Sequence, residues 1–159
     1  MMARRGEARR DHRLELINDT RTRSTMALHF VAGRASIAAA RDWIDAEALL
    51  GGLVAIDAPL LQLLSSELIT NAVQHGPASG DVTIRVRDVD GQVRVEVDDE
   101  SSSPPRLRDV DPAAVGGHGM RLVDAYATRW GCDLRGADGK TVWFDLPRDD
   151  TLRLLSGQA

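Results

Sequence analysis

Three residues with chemically useful side chains recur at helical spacing in the middle of the chain: Glu67, Asn71 and His75. Separations of four residues place their carboxylate, amide and imidazole groups on one side of a helix. The carboxylate can accept a proton, and the amide oxygen can bind a hard cation. Polar groups beside an apolar face cost free energy unless they are satisfied, and a bound ligand or ion is one such partner. The alternative is that they lie at the margin of a core and bond to the backbone.

The helix that carries these residues is bounded by strong end signals. Asp57 and Pro59 lie near its predicted start, and Gly76 followed by Pro77 predicts its end. At about 100° per residue, the predicted apolar stripe consists of Leu60, Leu61, Leu64, Leu68 and Ala72. The residues predicted to face water are Gln62, Ser66 and Thr70. The three reactive side chains therefore edge the side that contacts the core.

Two segments after this helix alternate apolar and polar residues and predict a pair of strands. They cover residues 81–87 and 92–99, and Asp90-Gly91 between them is a typical tight-turn pair. Asp99 shares a face with three valines of the second strand, whereas Asp98 lies on the other face and is predicted to be solvated. An inward Asp99 at the end of a strand is suited to hydrogen bonding with a ligand. The alternative is that Asp99 only forms a turn.

A glycine cluster at residues 116–119 precedes a predicted helix that runs to about Trp130. Glycines at a helix start let unpaired backbone N–H groups approach an anion closely. The alternative is that these glycines only form a loop. The loop over residues 101–114 that leads to the cluster is long for a compact domain, which favours a lid or a binding loop.

The other segments complete one α/β domain over residues 25–148. A first strand is predicted over residues 27–31, followed by a helix from its N-cap Ser36 to about Leu50. Two strands are predicted after Gly131 and from Lys140 to Leu146. The arginine-rich residues 1–24 are predicted to form a mobile tail, and residues 149–159 a second tail.

Size and composition set broader limits. A chain of 159 residues with 43% apolar and 28% charged residues is typical of one soluble globular domain. The net charge of -4 gives no general attraction to nucleic acid or to an anionic membrane. No apolar run approaches the roughly 20 residues that a membrane-spanning helix needs. The single cysteine, Cys132, excludes an internal disulfide and predicts a reducing, cytoplasmic environment.

Taken together, these segments resemble the nucleotide-binding motifs of the GHKL ATPases, which include gyrase, the Hsp90 chaperones, histidine kinases and anti-sigma kinases. Residues 67–76 resemble the N-box, and residues 95–99 resemble the strand that leads to the first adenine box. Residues 117–123 resemble the second glycine box, and residues 139–144 the strand that closes the adenine pocket. The resemblance implies a Bergerat fold: an α/β (α+β) two-layer sandwich with a mixed sheet and helices on one face.

The resemblance also implies site roles and two cofactors, ATP and Mg²⁺. Glu67 would accept a proton from an attacking hydroxyl or water, and Asn71 would bind Mg²⁺ through its amide oxygen. Asp99 would accept a hydrogen bond from the adenine amino group, with support from Thr141. The other residues that it implies for nucleotide binding are His75, Gly117, His118, Gly119 and Met120.

Within the family, the chain resembles the short anti-sigma type. This implies an ATP-dependent serine/threonine protein kinase that acts on an anti-sigma-antagonist-like partner, sequesters a sigma factor, or both, and so regulates transcription. A homodimer is also implied. The chain departs from the family after Asp99, where residues 100–105 (Glu-Ser-Ser-Ser-Pro-Pro) replace the usual glycines. The alternatives are a non-catalytic ATP-binding module that regulates a partner by nucleotide-dependent binding, and a domain with a vestigial pocket.

Overall fold

The computed structural model describes residues 13–17, 25–50, 57–105 and 119–148. The elements in chain order are β1 (Arg13–Ile17), β2 (Thr25–Val31), α1 (Arg34–Leu50), α2 (Ala58–His75), β3 (Asp81–Val89), β4 (Gln92–Asp99), α3 (Gly119–Tyr126), β5 (Arg129–Leu134) and β6 (Lys140–Pro147). A short 3-10 helix, Gly136–Asp138, precedes β6. Among these described residues, no helix is both long and apolar enough to cross a membrane.

The six strands form one sheet in the order β1-β2-β3-β4-β6-β5, with a hydrophobic core between one face and the helices. This confirms the predicted α+β sandwich. Every neighbouring pair of these strands is antiparallel, so the expectation of a mixed sheet is wrong. The reason lies in the connections. Tight turns reverse the chain between β3 and β4 and between β5 and β6, and the path through α3 and β5 brings β6 back antiparallel to β4.

Strand β1 corrects the prediction of a continuous mobile tail at the N-terminus. Residues 13–17 pair with β2 at the edge of the sheet, from Arg13 opposite His29 to Ile17 opposite Thr25. Leucines alternate with charged residues in this short segment, a period-two pattern that is typical of a strand. The rest of the predicted tails, residues 1–12, 18–24 and 149–159, lies outside the described residues.

Helix α2 begins and ends where the sequence predicts. The side chain of the N-cap Asp57 accepts a hydrogen bond from the backbone N–H of Leu60 at 2.9 Å, and the N–H of Gly76 donates to the carbonyl of Ala72 at the other end. The stripe members Leu61, Leu64, Leu68 and Ala72 are buried, and Leu60 is partly buried.

The opposite side of α2 is only partly the solvated face that was predicted, since Gln62 is exposed and Thr70 is half-buried. Ser66 is buried, because α1 packs along this side of the helix. Gln62, one turn earlier, donates to Asp45 of α1 at 2.6 Å. The prediction of Ser36 as the N-cap of α1 is also wrong: Ser36 lies inside the first turn, and its hydroxyl donates to the carbonyl of Val31 at 2.7 Å. The amphipathic pattern of α2 predicts the face that packs on the core. It does not predict that another helix, α1, packs on the opposite side.

The outer face of the sheet, opposite the hydrophobic core, is covered by charged side chains that pair with one another. Arg85 donates to Asp98, and Arg87 donates to Glu96. Thr141 of β6 adds a hydrogen bond from its Oγ1 to Asp98 at 2.6 Å. Asp98 is consequently only 6% exposed, so the prediction that it is solvated is wrong. Alternation assigns its face correctly, but side chains from the neighbouring strands cover it.

Candidate functional site

A cavity of about 280 Å³ lies beside the C-terminal half of α2. Its walls come from α2, from the loop that follows β4 and from the first residue of β6. The lining residues are Asn71, His75, Ser101, Ser103, Pro104, Pro105 and Lys140. The structure therefore brings two of the sequence-predicted residues on α2, Asn71 and His75, to one cavity.

Glu67 lies one turn before Asn71 on α2 and reaches the start of α3. A methyl group added at Gly119, the first residue of α3, would lie 2.4 Å from Oε2 of Glu67. Only a glycine permits this approach. The carboxylate therefore lies next to the N-terminal end of α3, where the helix dipole favours anions.

Asp99 faces inward at the end of β4, as its alternation predicts, and is 2% exposed. Its Oδ1 accepts a hydrogen bond from the backbone N–H of Ser101 at 2.7 Å. The Nζ atom of Lys140 lies 3.0 Å from both Oδ1 and Oδ2. Lys140 is only 1% exposed, so the two residues form a buried ion pair beside the cavity.

The backbone of β4 and β6 around the Asp99–Lys140 pair is tightly packed and hydrogen-bonded. Asp99 and Lys140 are register partners on β4 and β6. Gly139 has a φ of +99°, and a Cβ there would lie 1.9 Å from the carbonyl oxygen of Asp99, so no other residue fits without displacing the strand end. Arg135 donates from Nη2 to the carbonyls of both Asp99 and Lys140 at 3.4 Å.

Thr141 does not support Asp99. It lies on the outer face of the sheet, where its hydroxyl donates to Asp98, so the role that the resemblance implied for it is not supported. The inward residue next to Asp99 is Lys140, which is not among the predicted site residues. A signal was available, because Lys140 continues the inward series Val142, Phe144 and Leu146 on β6.

The predicted glycine-box residues are only partly described. Gly117 and His118 lie outside the described residues, and Gly119 begins α3. Met120 is buried in the hydrophobic core and is not among the residues that line the cavity. His75, the last residue of α2, is exposed at the cavity.

The ion pair also influences a thiol on the next strand. Cys132 of β5 lies opposite Val142 on the inner face and is half-buried. Burial raises the pKa of the Cys132 thiol above its ordinary value of 9.0, and the ammonium of Lys140 opposes that shift.

Comparison with known proteins identifies the family. Residues 56–150, well over half of the chain, match the family described as histidine kinase-, DNA gyrase B- and HSP90-like ATPase. The chain belongs to this ATPase family. It is therefore an ATP-binding domain of the kinase-like GHKL group. No curated protein sequence matches it.

Two solved structures are similar to this ATPase domain. One is the histidine kinase domain from Erythrobacter litoralis EL346 blue-light activated histidine kinase, with 25% identity, 79% of this chain covered and a TM-score of 0.46. The other is Erythrobacter litoralis EL346 blue-light activated histidine kinase, with 26% identity, 75% covered and a TM-score of 0.45. The ATPase domain spans 65% of the first chain and 42% of the second.

The residues of the ATPase domain fit a magnesium nucleotide. Asn71 lines the cavity, and its side chain carries an amide oxygen, a ligand type that Mg²⁺ prefers; Mg²⁺ usually completes its shell with phosphate oxygens and water. Among the described residues, no group of three or more His, Cys, Asp or Glu side chains is placed to form a metal site of protein ligands alone. The start of α3, where the helix dipole favours anions, is chemically suited to phosphate.

Proposed function

We propose that this ATPase domain is a serine/threonine protein kinase of the anti-sigma-factor type. It phosphorylates an anti-sigma-antagonist-like partner, and it regulates transcription through the sigma factor that it sequesters. One observation carries the proposal: the Glu67 carboxylate abuts the first residue of α3, one helical turn from the Asn71 side chain that lines the cavity. This arrangement supports the proposal, because it would put a base, a metal ligand and a helix start that favours anions within reach of one nucleotide.

The chemistry that follows is a direct phosphoryl transfer. The Glu67 carboxylate accepts the proton of a serine or threonine hydroxyl on the partner. The hydroxyl oxygen forms a bond to the γ-phosphorus of ATP as the bond from that phosphorus to the β-γ bridging oxygen breaks. The products are ADP and a phosphoester, and the proton remains on Glu67 until it passes to solvent.

The other residues of the site position the reactants. Asn71 would hold Mg²⁺, which when bound neutralises negative charge on the transferring phosphoryl group. Backbone N–H groups at the start of α3 would orient the phosphates. Asp99 and Lys140 lie beside the cavity, where the family resemblance places the adenine ring through Asp99. The ending Gly139-Lys140-Thr141-Val142-Trp143, which resembles that of the anti-sigma branch, supports the choice of partner.

Transfer of labelled γ-phosphate from ATP to a cognate partner protein tests the proposal. Glu67→Gln keeps the shape of the side chain but removes the base, and we expect transfer to fall by about 10²–10⁴-fold while ATP still binds. Asp42→Asn, at an exposed acid on α1, is the matched control and should transfer at the parent rate. Full transfer by Glu67→Gln would remove Glu67 from the mechanism.

A second function is favoured by the loop after β4. Ser101, Ser103, Pro104 and Pro105 line the cavity where a glycine-rich lid would be more adaptable. A stiff loop of this kind suits a module that holds ATP and binds a partner without turnover. Such a module would bind its partner equally well with ATP and with a non-hydrolysable analogue, and no phosphate would appear on the partner.

A further inference from the structure

Lys140 has no part in the phosphoryl transfer described above, yet it occupies a costly position. Its ammonium is almost completely buried, and a buried ion pair recovers its desolvation cost only with good geometry and additional hydrogen bonds. It is also the only lysine in the sequence, since the other 19 of the 20 basic residues are arginines. The chain thus has a lysine ammonium only at position 140 and has arginine at every other position with a Lys or Arg side chain.

The hydrogen-bonding capacity of the pair is not exhausted by its internal contacts. An ammonium has three N–H donors, and the described contacts of Nζ are those to the two carboxylate oxygens of Asp99. Oδ1 of Asp99 also accepts from Ser101, whereas Oδ2 has room for another donor. Counted over the described residues, the pair therefore has at least one further donor and one further acceptor, side by side.

The donor of this pair is the part that meets the cavity. Lys140 lines the cavity together with Asn71 and Ser101, whereas Asp99 is not among the described residues that line it. An adenine ring that enters through the cavity would therefore contact the Lys140 ammonium first and the Asp99 carboxylate behind it. The Watson–Crick edge of adenine carries the complementary groups next to each other: the amino donor on C6 and the acceptor nitrogen N1.

We propose that Lys140 is a specificity-determining residue of the nucleotide site, whose ammonium donates a hydrogen bond to N1 of adenine while Asp99 accepts from the adjacent amino group. One donated and one accepted hydrogen bond together recognise the adjacent N1 and amino group of adenine. A lone carboxylate can recognise only the amino group. The inference rests on the nucleotide site used in the proposed function, but it does not depend on phosphoryl transfer. Binding measured without any partner protein therefore tests it separately from the kinase assay.

The first test compares nucleotides that differ at one ring atom. In 1-deaza-ATP a C–H group replaces N1, and in 3-deaza-ATP the nitrogen on the other edge is replaced, which makes it the matched control. We expect calorimetry on the parent protein to show ATP and 3-deaza-ATP binding alike and 1-deaza-ATP binding about tenfold to a hundredfold more weakly, since a charge-assisted hydrogen bond is lost. In Lys140→Met the three nucleotides should bind alike.

Comparing ligands within one protein separates recognition from folding. If Lys140→Met does not fold because Asp99 is left unpaired, the double variant Asp99→Asn with Lys140→Met removes both charges and takes its place. Lys140→Gln, which retains an N–H donor, should recover part of the discrimination. Equal binding of ATP and 1-deaza-ATP by the parent protein would overturn the proposal. Tighter binding of ATP by Lys140→Met would also overturn it, because Lys140 would then obstruct the base.

A spectroscopic test uses the single lysine. Protein grown with lysine labelled with ¹⁵N at Nζ gives one side-chain ammonium resonance, which must be that of Lys140. We expect ATP and 3-deaza-ATP to shift this resonance in the same way, and 1-deaza-ATP at saturation to shift it differently. A resonance that responds identically to all three nucleotides would mean that Lys140 only neutralises Asp99, which contradicts the proposal.

Discussion

The most deeply buried carboxylate on the outer face of the sheet is Asp145 and on the inner face Asp99, and these two have different surroundings. On the outer face, fully buried Asp145 accepts from Arg94 Nε at 2.6 Å and Nη2 at 2.8 Å, and Arg129 Nη2 lies 2.9 Å from Oδ2. On the inner face, Asp99 is paired with a single ammonium beside a cavity. Within the part of the chain that the structure describes, the outer carboxylate is saturated by protein groups, whereas the inner one keeps an oxygen with room for a further donor.

The choice of cation follows this difference. The planar guanidinium of Arg94 fits Asp145 through two parallel hydrogen bonds and lies 3.9 Å from the centre of the Trp143 ring. The hydrogen bond to Asp145 raises the pKa of Arg94, so this cation stays charged throughout the accessible pH range. Lys140 is a point charge on a flexible stem with rotatable donors, which suits a contact that rearranges when a ligand enters. An ion pair whose hydrogen-bonding groups are all satisfied, such as Arg94 with Asp145, indicates a structural role. A pair with hydrogen-bonding groups left over beside a cavity, such as Lys140 with Asp99, indicates a role in binding a ligand.

The largest predicted effect comes from breaking the outer pair. Asp145→Ala leaves the Arg94 guanidinium charged and largely buried, so we expect the free energy of unfolding to fall by about 3–5 kcal/mol, measured by urea denaturation. Asp99→Ala should cost less stability, because a flexible lysine beside a cavity can turn toward water. It should nevertheless abolish ATP binding, which Asp145→Ala should retain at temperatures where it is folded. A greater loss of stability in Asp99→Ala would contradict the comparison.

The second prediction concerns the inner side alone. In Gly119→Ala the new methyl group meets the end of the flexible Glu67 side chain, so the carboxylate turns away and the helix remains folded. We expect phosphoryl transfer to fall about 10²-fold, or about 2.7 kcal/mol in activation free energy, with little change in ATP affinity. Gly33→Ala is the control, since its methyl group would make only an ordinary 3.6 Å contact with Ser36. Unchanged transfer by Gly119→Ala would show that the position of Glu67 against α3 has no catalytic consequence.

The inner side of the molecule was largely predictable from local signals. Capping residues and the glycine-proline stop define α2, and four-residue spacing places Asn71 and His75 at one cavity. Period-two alternation with Val97 is enough to turn Asp99 inward. These inferences use neighbours in the sequence, and neighbours in the sequence determine which face a side chain takes.

The outer face was not predictable in the same way. Whether Asp98 and Glu96 meet water depends on which strands lie beside β4, and strand order is a long-range property that one sequence does not display. The arginines of β3 and Thr141 of β6 cover them only because both strands neighbour β4. The pairing of Lys140 with Asp99 likewise required the register between β4 and β6.

Replacing the outer arginine by lysine tests the comparison between Asp145 and Asp99 with a smaller expected loss of stability. Arg94→Lys keeps the charge near Asp145 but loses one of the two parallel hydrogen bonds and the contact with Trp143. We expect a loss of about 1.5–3 kcal/mol in the free energy of unfolding and no change in the dissociation constant for ATP. If ATP binding weakened in Arg94→Lys, the outer face would be coupled to the site, and the separation between a structural pair and a recognition pair would fail.

The smallest predicted effect uses Cys132 as a reporter of the inner pair. Burial raises the pKa of this thiol above 9.0, with smaller contributions in the same direction from Asp133 and Asp99, whereas Lys140 lowers it. The folded protein therefore holds its thiol proton to higher pH than the unfolded chain. The stabilisation is complete below the unfolded pKa and is lost as the pH rises through the folded pKa, with a slope of at most about 1.4 kcal/mol per pH unit.

Alkylation by iodoacetamide as a function of pH measures the thiol directly, and Cys132→Ala should lack the corresponding loss of stability above about pH 9. Removal of the nearby cation in Lys140→Met should move the alkylation midpoint to higher pH, because only the lowering influence is lost. Arg94→Lys, on the other face, should leave the midpoint unchanged. A midpoint that moved equally in both variants would mean that the two faces share one electrostatic network and that the inner pair is not independent of the outer one.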